Sequence, residues 1–124
     1  MINIKIITER INYEEEISRL KTMGCGSIVS FLGIVRSENG EVKSLVYEHY
    51  EDMAKNTIKI IAEEAVREFG VKSISVVHRI GQIPAGDDVV LVAVSSKHRA
   101  EGFKACSWIM DKIKEKVPIW KEVR

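Results

Sequence analysis

The chain has 124 residues, the size of one domain, which excludes a second catalytic domain. Hydrophobic residues make up 45% and charged residues 30%, a globular balance that excludes a disordered chain. With 19 Lys and Arg against 18 Asp and Glu, the net charge of +1 supplies no global attraction to nucleic acid or an anionic membrane, so any anion site must be local.

Ile2, Ile4 and Ile6 alternate with polar residues and predict a first strand. A helix follows, with Asn12 placed to cap it, Glu14, Glu15 and Glu16 near its positive end, and Ile17, Leu20 and Met23 as its apolar stripe. Gly24 and Gly26 are expected to stop it. Ser27 to Val35 is an apolar, β-branched run, read as a largely buried strand with a close backbone approach at Gly33, and its end delivers Arg36. The Asn39-Gly40 pair marks a hairpin connection. Leu45, Tyr47 and His49 alternate with Val46, Glu48 and Tyr50 on the returning strand, which predicts an antiparallel pair with the strand before.

Asp52 then starts a long helix whose Ala54, Ile58, Ile61, Ala65 and Phe69 recur at three- and four-residue intervals up to Gly70. Two strands come next, Ile74 to Ile80 and Val89 to Ser95, joined by a Gly- and Pro-bearing turn over 81–88. A third helix begins after Ser95-Ser96 with Phe103, Cys106, Met110, Ile113 and Val117 as its stripe. Pro118 ends it, because the residue before a proline avoids helical dihedrals. Ile119 to Val123 forms a short terminal strand. This order predicts an α+β fold, one domain over 1–124, with a mostly antiparallel sheet packed with about three helices. No apolar run approaches the ~20 residues that span a bilayer, and the N-terminal stretch holds Lys5 and lacks a small-residue cleavage site. The expected location is the cytoplasm, with both thiols reduced.

Cys25 and Cys106 lack C-x-x-C spacing and His49, His78 and His98 are scattered, so neither a metal nor another cofactor is expected. His49 and His78 fall in strand patterns and read as hydrogen-bonded structural histidines, and Cys106 reads as core. Charge is uneven: residues 97–124 hold eight basic and four acidic side chains. Within them His98 and Arg99 open the third helix, where unpaired backbone N–H groups and the helix dipole attract phosphate. Either a bound anion or plain solvent exposure explains cations at that end. Lys114 and Lys121 flank the Val117-Pro118 break, so the chain can turn back and aim both amines at one point. Crowded together, one would have its pKa lowered toward neutrality and could move protons. His98 and Lys114 are 16 residues apart on one helix, about 24 Å at ~1.5 Å per residue, too far for one small ligand. Across a two-fold homodimer, His98 and Arg99 of one subunit could complete the lysine site of the other.

Four blocks carry a family resemblance: Gly26-Ser-Ile-Val-Ser-Phe-Leu-Gly-Ile-Val-Arg36; Leu45-Val-Tyr-Glu-His-Tyr50; Val77-His-Arg-Ile-Gly81 with Pro84-Ala-Gly-Asp87; and Ser95-Ser-Lys-His-Arg99 continuing to Ile109-Met-Asp-Lys-Ile-Lys114 and Pro118-Ile-Trp-Lys121. In this order they resemble the large, catalytic subunit of molybdopterin synthase, the MoaE family, along nearly the whole chain. The resemblance implies an α/β-hammerhead fold and a sulfurtransferase that converts cyclic pyranopterin monophosphate to molybdopterin. It also implies a small ubiquitin-like partner whose C-terminal glycine thiocarboxylate donates the sulfur, two large subunits pairing within a heterotetramer, and no role for nucleic acid or membrane. By position, Lys114 and Lys121 resemble the catalytic lysines. Arg36, His98 and Arg99 resemble the contacts to the pterin phosphate, the last two supplied by the neighbouring subunit. Ile34 and Val35 are expected to add backbone contacts, and Glu122 and Val123 to line the pocket. Three residues follow Lys121 in this sequence, where many members of the family it resembles continue with a tail that reaches the active site or partner, so the resemblance does not carry over that tail's contacts. A phosphate- or nucleotide-binding module without sulfur chemistry is the alternative that the residues leave open.

Overall fold

The computed structural model describes residues 1–36, 44–49, 51–117 and 119–123, with the backbone alone described for 44–49, 51 and 119–123. The elements in chain order are β1 (Ile2–Ile7), α1 (Tyr13–Arg19), β2 (Ser27–Ile34), β3 (Ser44–His49), α2 (Glu51–Phe69), β4 (Ser73–Arg79), β5 (Gly81–Pro84), β6 (Asp88–Ser96), α3 (Arg99–Lys116) and β7 (Ile119–Val123). The Asn39-Gly40 connection, Tyr50, Pro118 and Arg124 lie outside the described residues. No helix among the described residues is long and apolar enough to cross a membrane.

Two sheets form. The larger runs β1-β4-β6-β2, with β1 parallel to β4 and the other pairs antiparallel, and the smaller runs β5-β3-β7, all antiparallel. Strand alternation divides the larger sheet's residues between two faces. Ile4, Ile74, Val76, Val92 and Val94 meet Ile58, Ile61, Ala62 and Ala65 of α2 and Ala105, Ile109 and Ile113 of α3 in the main core. Val77 and Leu91 face the other way and pack with Ile11. On that second side Glu16 of α1 is 3% exposed and is held by Asn3 Nδ2 at 2.7 Å, Lys5 Nζ at 2.7 Å and Ser75 Oγ at 3.1 Å. Three donors on one buried carboxylate replace the water it has lost.

Several local expectations need correction. Asn12 does cap α1, its side chain accepting from the Glu15 N–H at 3.2 Å, but the helix ends at Arg19 and Met23 is 99% exposed rather than on a buried stripe. Glu16, not an apolar residue, is the buried position within that short helix. β2 is an edge strand with Phe31 and Ile34 exposed, and it does not pair with β3, which belongs to the other sheet. Gly81–Pro84 is a strand rather than part of a turn, and the reversal is confined to 84–87, where the Asp87 N–H donates to the Pro84 carbonyl at 3.2 Å. On α3 the buried residues are Gly102, Ala105, Cys106, Ile109 and Ile113, whereas Phe103 is exposed. The small residues let the helix approach the sheet, so the buried stripe lies to one side of the one read from large apolar residues.

Candidate active site

A cavity of about 620 Å³ opens between the C-terminal half of β2, the start of β6 and the last turns of α3. Its walls come from residues 31–34 and Arg36 on one side, Val89 and Val90 beneath, and Met110, Ile113, Lys114 and Val117 on the helix, with His78 of β4 reaching it as well. Backbone irregularity shapes the β2 wall. Gly33 pairs with Val90 and Ile34 with Asp88, so the register skips Val89 and both valines line the cavity. A Cβ at Gly33 would lie 2.6 Å from Val90 Cγ1, closer than side-chain carbons approach, so only glycine leaves this wall in place.

The chain beyond β2 is then pinned. Val35 is 2% exposed, donates its N–H to the Asp87 carbonyl at 3.0 Å and accepts from the Gly86 N–H at 2.8 Å. Both backbone groups of Val35 therefore hold the 84–87 turn, and its side chain lies in the core. That anchoring sets Arg36 at the cavity, while Ile34, 54% exposed, lines it. On the opposite wall Lys114 occupies the last turn of α3, one turn after Met110. Val117 leaves the helix with extended dihedrals, φ −86° and ψ 125°, while its N–H still reaches the Ile113 carbonyl at 3.0 Å. The helix thus turns at once into β7, whose register sets Lys121 opposite Tyr47, Glu122 opposite Val46 and Val123 opposite Leu45.

His98 and Arg99 sit at the other end of the same helix. His98 is its N-cap residue with φ −126° and ψ 151°, but its side chain makes no capping bond; its carbonyl accepts from Ser96 Oγ at 2.6 Å. Both side chains are exposed and neither lines the cavity. One subunit therefore gathers Ile34, Arg36 and Lys114 around the cavity, places Lys121 on the strand that follows, and leaves His98 and Arg99 a helix length away.

Sequence reasoning missed His78 as part of this wall. It is 7% exposed, and Nδ1 lies 2.7 Å from the Arg79 carbonyl oxygen. Its strand parity matches Ile74 and Val76, which points it to the helical side, and that alternation was the one available signal. Phe31 and Met110 complete the cavity and were likewise unassigned. Cys106 lies outside the lining, its Sγ 3.7 Å from the Val92 carbonyl, and burial pushes its thiol up from 9.0 to about 11. Cys25 Sγ contacts the Ser27 carbonyl at 3.3 Å. No group of three or more His, Cys, Asp or Glu able to hold a metal occurs among the described residues.

Comparison with known proteins turns this geometry into an assignment. The family model described as MoaE protein matches residues 6–116. A molybdopterin synthase catalytic subunit from Pyrococcus abyssi is 44% identical over 115 residues, covering 91% of this chain and 78% of that protein. The crystal structure of molybdopterin synthase from Staphylococcus aureus superposes with a TM-score of 0.91 at 36% identity, covering 96% of this chain and 88% of that one. A Helicobacter pylori complex of subunits 1 and 2 of molybdopterin-converting factor shares the fold, with a TM-score of 0.78 at 24% identity over 97% of this chain and 83% of that one. The matched segment holds the whole cavity wall except Val117, together with both ends of α3, and the chain therefore belongs to the MoaE family, the molybdopterin synthase catalytic subunits of molybdenum cofactor biosynthesis.

Proposed function

We propose that the cavity is the site at which cyclic pyranopterin monophosphate receives its two dithiolene sulfurs from the C-terminal glycine thiocarboxylate of a small ubiquitin-like partner. The observation that carries this reading is the meeting of Lys114 and Arg36, from separate elements, on one cavity. In each transfer the thiocarboxylate sulfur bonds to a carbon of the pterin side chain as a carbon–oxygen bond at that carbon breaks, its oxygen leaving as water or on the phosphate; water then cleaves the acyl–sulfur bond, so the acyl carbon departs as glycine carboxylate and the sulfur stays on the pterin. Lys114 moves protons and stabilises the developing charge, and Lys121, supported from β7, adds positive charge beside it. Arg36 binds the substrate phosphate, Ile34 lines its approach, and Glu122 and Val123 extend the pocket along β7. Val35 acts by holding Arg36 in place, since its backbone groups are already bonded to residues 86 and 87.

His98 and Arg99 complete the phosphate site of a second copy of the chain. The helix between them and Lys114 accounts for this arrangement, because 16 residues of α3 span about 24 Å. A two-fold homodimer carrying one small subunit at each cavity is the assembly that satisfies both ends, and we place its work in the cytoplasm. The decisive experiment mixes the purified chain with thiocarboxylated small subunit and cyclic pyranopterin monophosphate and assays the dithiolene product. Product that disappears in Lys114→Ala, with pterin binding kept, supports the assignment. A stable complex that yields no product would instead make the chain a phosphate-binding module.

A further inference from the structure

Arg79 is a buried cation that does not line the cavity. It ends β4, is 7% exposed, and shares strand parity with Ser75 and Val77, which places it on the face of the larger sheet opposite the cavity. There Nη1 donates to the Asp88 carbonyl at 3.0 Å and to Asp87 Oδ2 at 3.4 Å, while Nε is buried with no hydrogen-bond partner among the described residues. A guanidinium cannot shed its charge on burial, so this seat carries a desolvation cost that two bonds from one nitrogen only partly offset. An apolar side chain of similar length would fill the space without that cost, so stability alone does not account for an arginine here.

Its partners supply the reason. The Asp87 carbonyl accepts from the Val35 N–H at 3.0 Å, and the Gly86 N–H donates to the Val35 carbonyl at 2.8 Å. Asp87 is therefore attached twice, its side chain to Arg79 behind the sheet and its backbone to the residue that precedes Arg36. None of residues 84–87 is buried, so packing alone holds this turn weakly. We propose that Arg79 is a positioning residue for the phosphate site: through Asp87 and Val35 it fixes the backbone that carries Arg36, without touching substrate. This rests on Arg36 being the phosphate contact.

Arg79→Met fills the seat with an apolar chain, and Asp87, whose side chain is 27% exposed, can turn to water. Two measurements test the brace: amide hydrogen exchange of the chain without ligand, and titration with cyclic pyranopterin monophosphate in the absence of a sulfur donor. In Arg79→Met the Val35 and Gly86 amides should exchange at least about fivefold faster, while Val76 and Val92 in the middle of the sheet keep their rates and the melting temperature does not fall. Affinity should drop about five- to tenfold in Arg79→Met and at least as far in Arg36→Ala. The double variant should lose no more than about twofold beyond Arg36→Ala, because a residue that acts only by placing Arg36 then has nothing left to place. Since a single nitrogen makes both contacts, Arg79→Lys should stay within about threefold of wild type in both measurements. Unchanged exchange at Val35 and Gly86, unchanged affinity in Arg79→Met, or a five- to tenfold loss that persists on top of Arg36→Ala overturns the inference. So does a lower melting temperature with all amides exchanging faster, or an Arg79→Lys that behaves like Arg79→Met. If wild type does not bind the pterin, or Arg36→Ala binds it as tightly as wild type, the reading of the phosphate site fails, and the exchange rates still decide whether Arg79 fixes Val35.

Discussion

The two ends of α3 meet the rest of the molecule in opposite ways. At its beginning the helix presses on the sheet: a Cβ at Gly102 would lie 2.9 Å from Ser96 Oγ and 3.1 Å from Val29 Cγ2. At its end the same pair of elements, β2 and α3, is separated by a cavity of about 620 Å³. The packed end carries the exposed side chains of His98 and Arg99, the arginine being a cation at the helix terminus that least favours one, and the open end carries the lysine that lines the cavity. The difference teaches that one rigid helix does two jobs, clamped at one end and forming a wall at the other, and that the clamped end can present His98 and Arg99 to a second molecule without disturbing its own cavity.

Breaking the open end should have the largest effect. Lys114→Ala is expected to lower turnover by about 10²- to 10⁴-fold with pterin affinity nearly unchanged, measured by single-turnover product formation and by titration. Joining the two ends across a dimer can be tested by complementation. Arg99→Ala and Lys114→Ala should each be inactive, yet an equal mixture, dissociated and reassembled, should recover about a quarter of wild-type activity, because half the dimers are mixed and each has one intact site of two. No recovery from mixtures shown to exchange subunits would place all the residues of a site in one chain.

Tight packing at the clamped end can be measured directly. Gly102→Ala gains up to about 1 kcal/mol of helix propensity but forces a methyl against Ser96 Oγ, which Ser27 and the His98 carbonyl already hold. A net loss of about 1–2 kcal/mol in urea unfolding is expected. Cys106 tests the middle of the helix. Its folded thiol titrates near 11 rather than 9.0, so the folded state keeps a proton that the unfolded chain releases. Stability should fall as pH rises from 9.0 to about 11 and should fall less in Cys106→Ala. The smallest effect belongs to the helix start, where Arg99→Glu should raise stability by no more than about 0.5 kcal/mol in an anion-free buffer while removing activity.

Local signals in the sequence were reliable where a few neighbouring residues decide the outcome. Asn12 capping through the Glu15 N–H and the close approach at Gly33 are of this kind, as is the end of α3 at Lys116, with Val117 extended before the proline. Partnering between distant segments was not legible. Gly81–Pro84 carries turn residues, and only its pairing with β3 makes it a strand. β2 is apolar enough to read as buried, but its position in the sheet order makes it an edge. The α3 stripe was read from Phe103 because large side chains dominate a hydrophobic pattern, while contact with β2 is made by Gly102, which contributes nothing to one. Arg36 and Lys114 were legible from position and resemblance. His78 was not, because alternation assigns a strand residue to a face and cannot say whether a helix or a cavity covers it.

The seat of Cys106 has a chemical consequence for an enzyme that handles sulfur. Its thiol lies on α3 one turn before Met110, yet it is turned to the Val92 carbonyl and stays protonated far above neutral pH. An incoming thiocarboxylate therefore meets no thiolate from this residue with which its acyl group could exchange to form a thioester, and no partner for a mixed disulfide. In the proposed reaction, burying this thiol would insulate the donor's sulfur and leave the thiocarboxylate as the sulfur nucleophile.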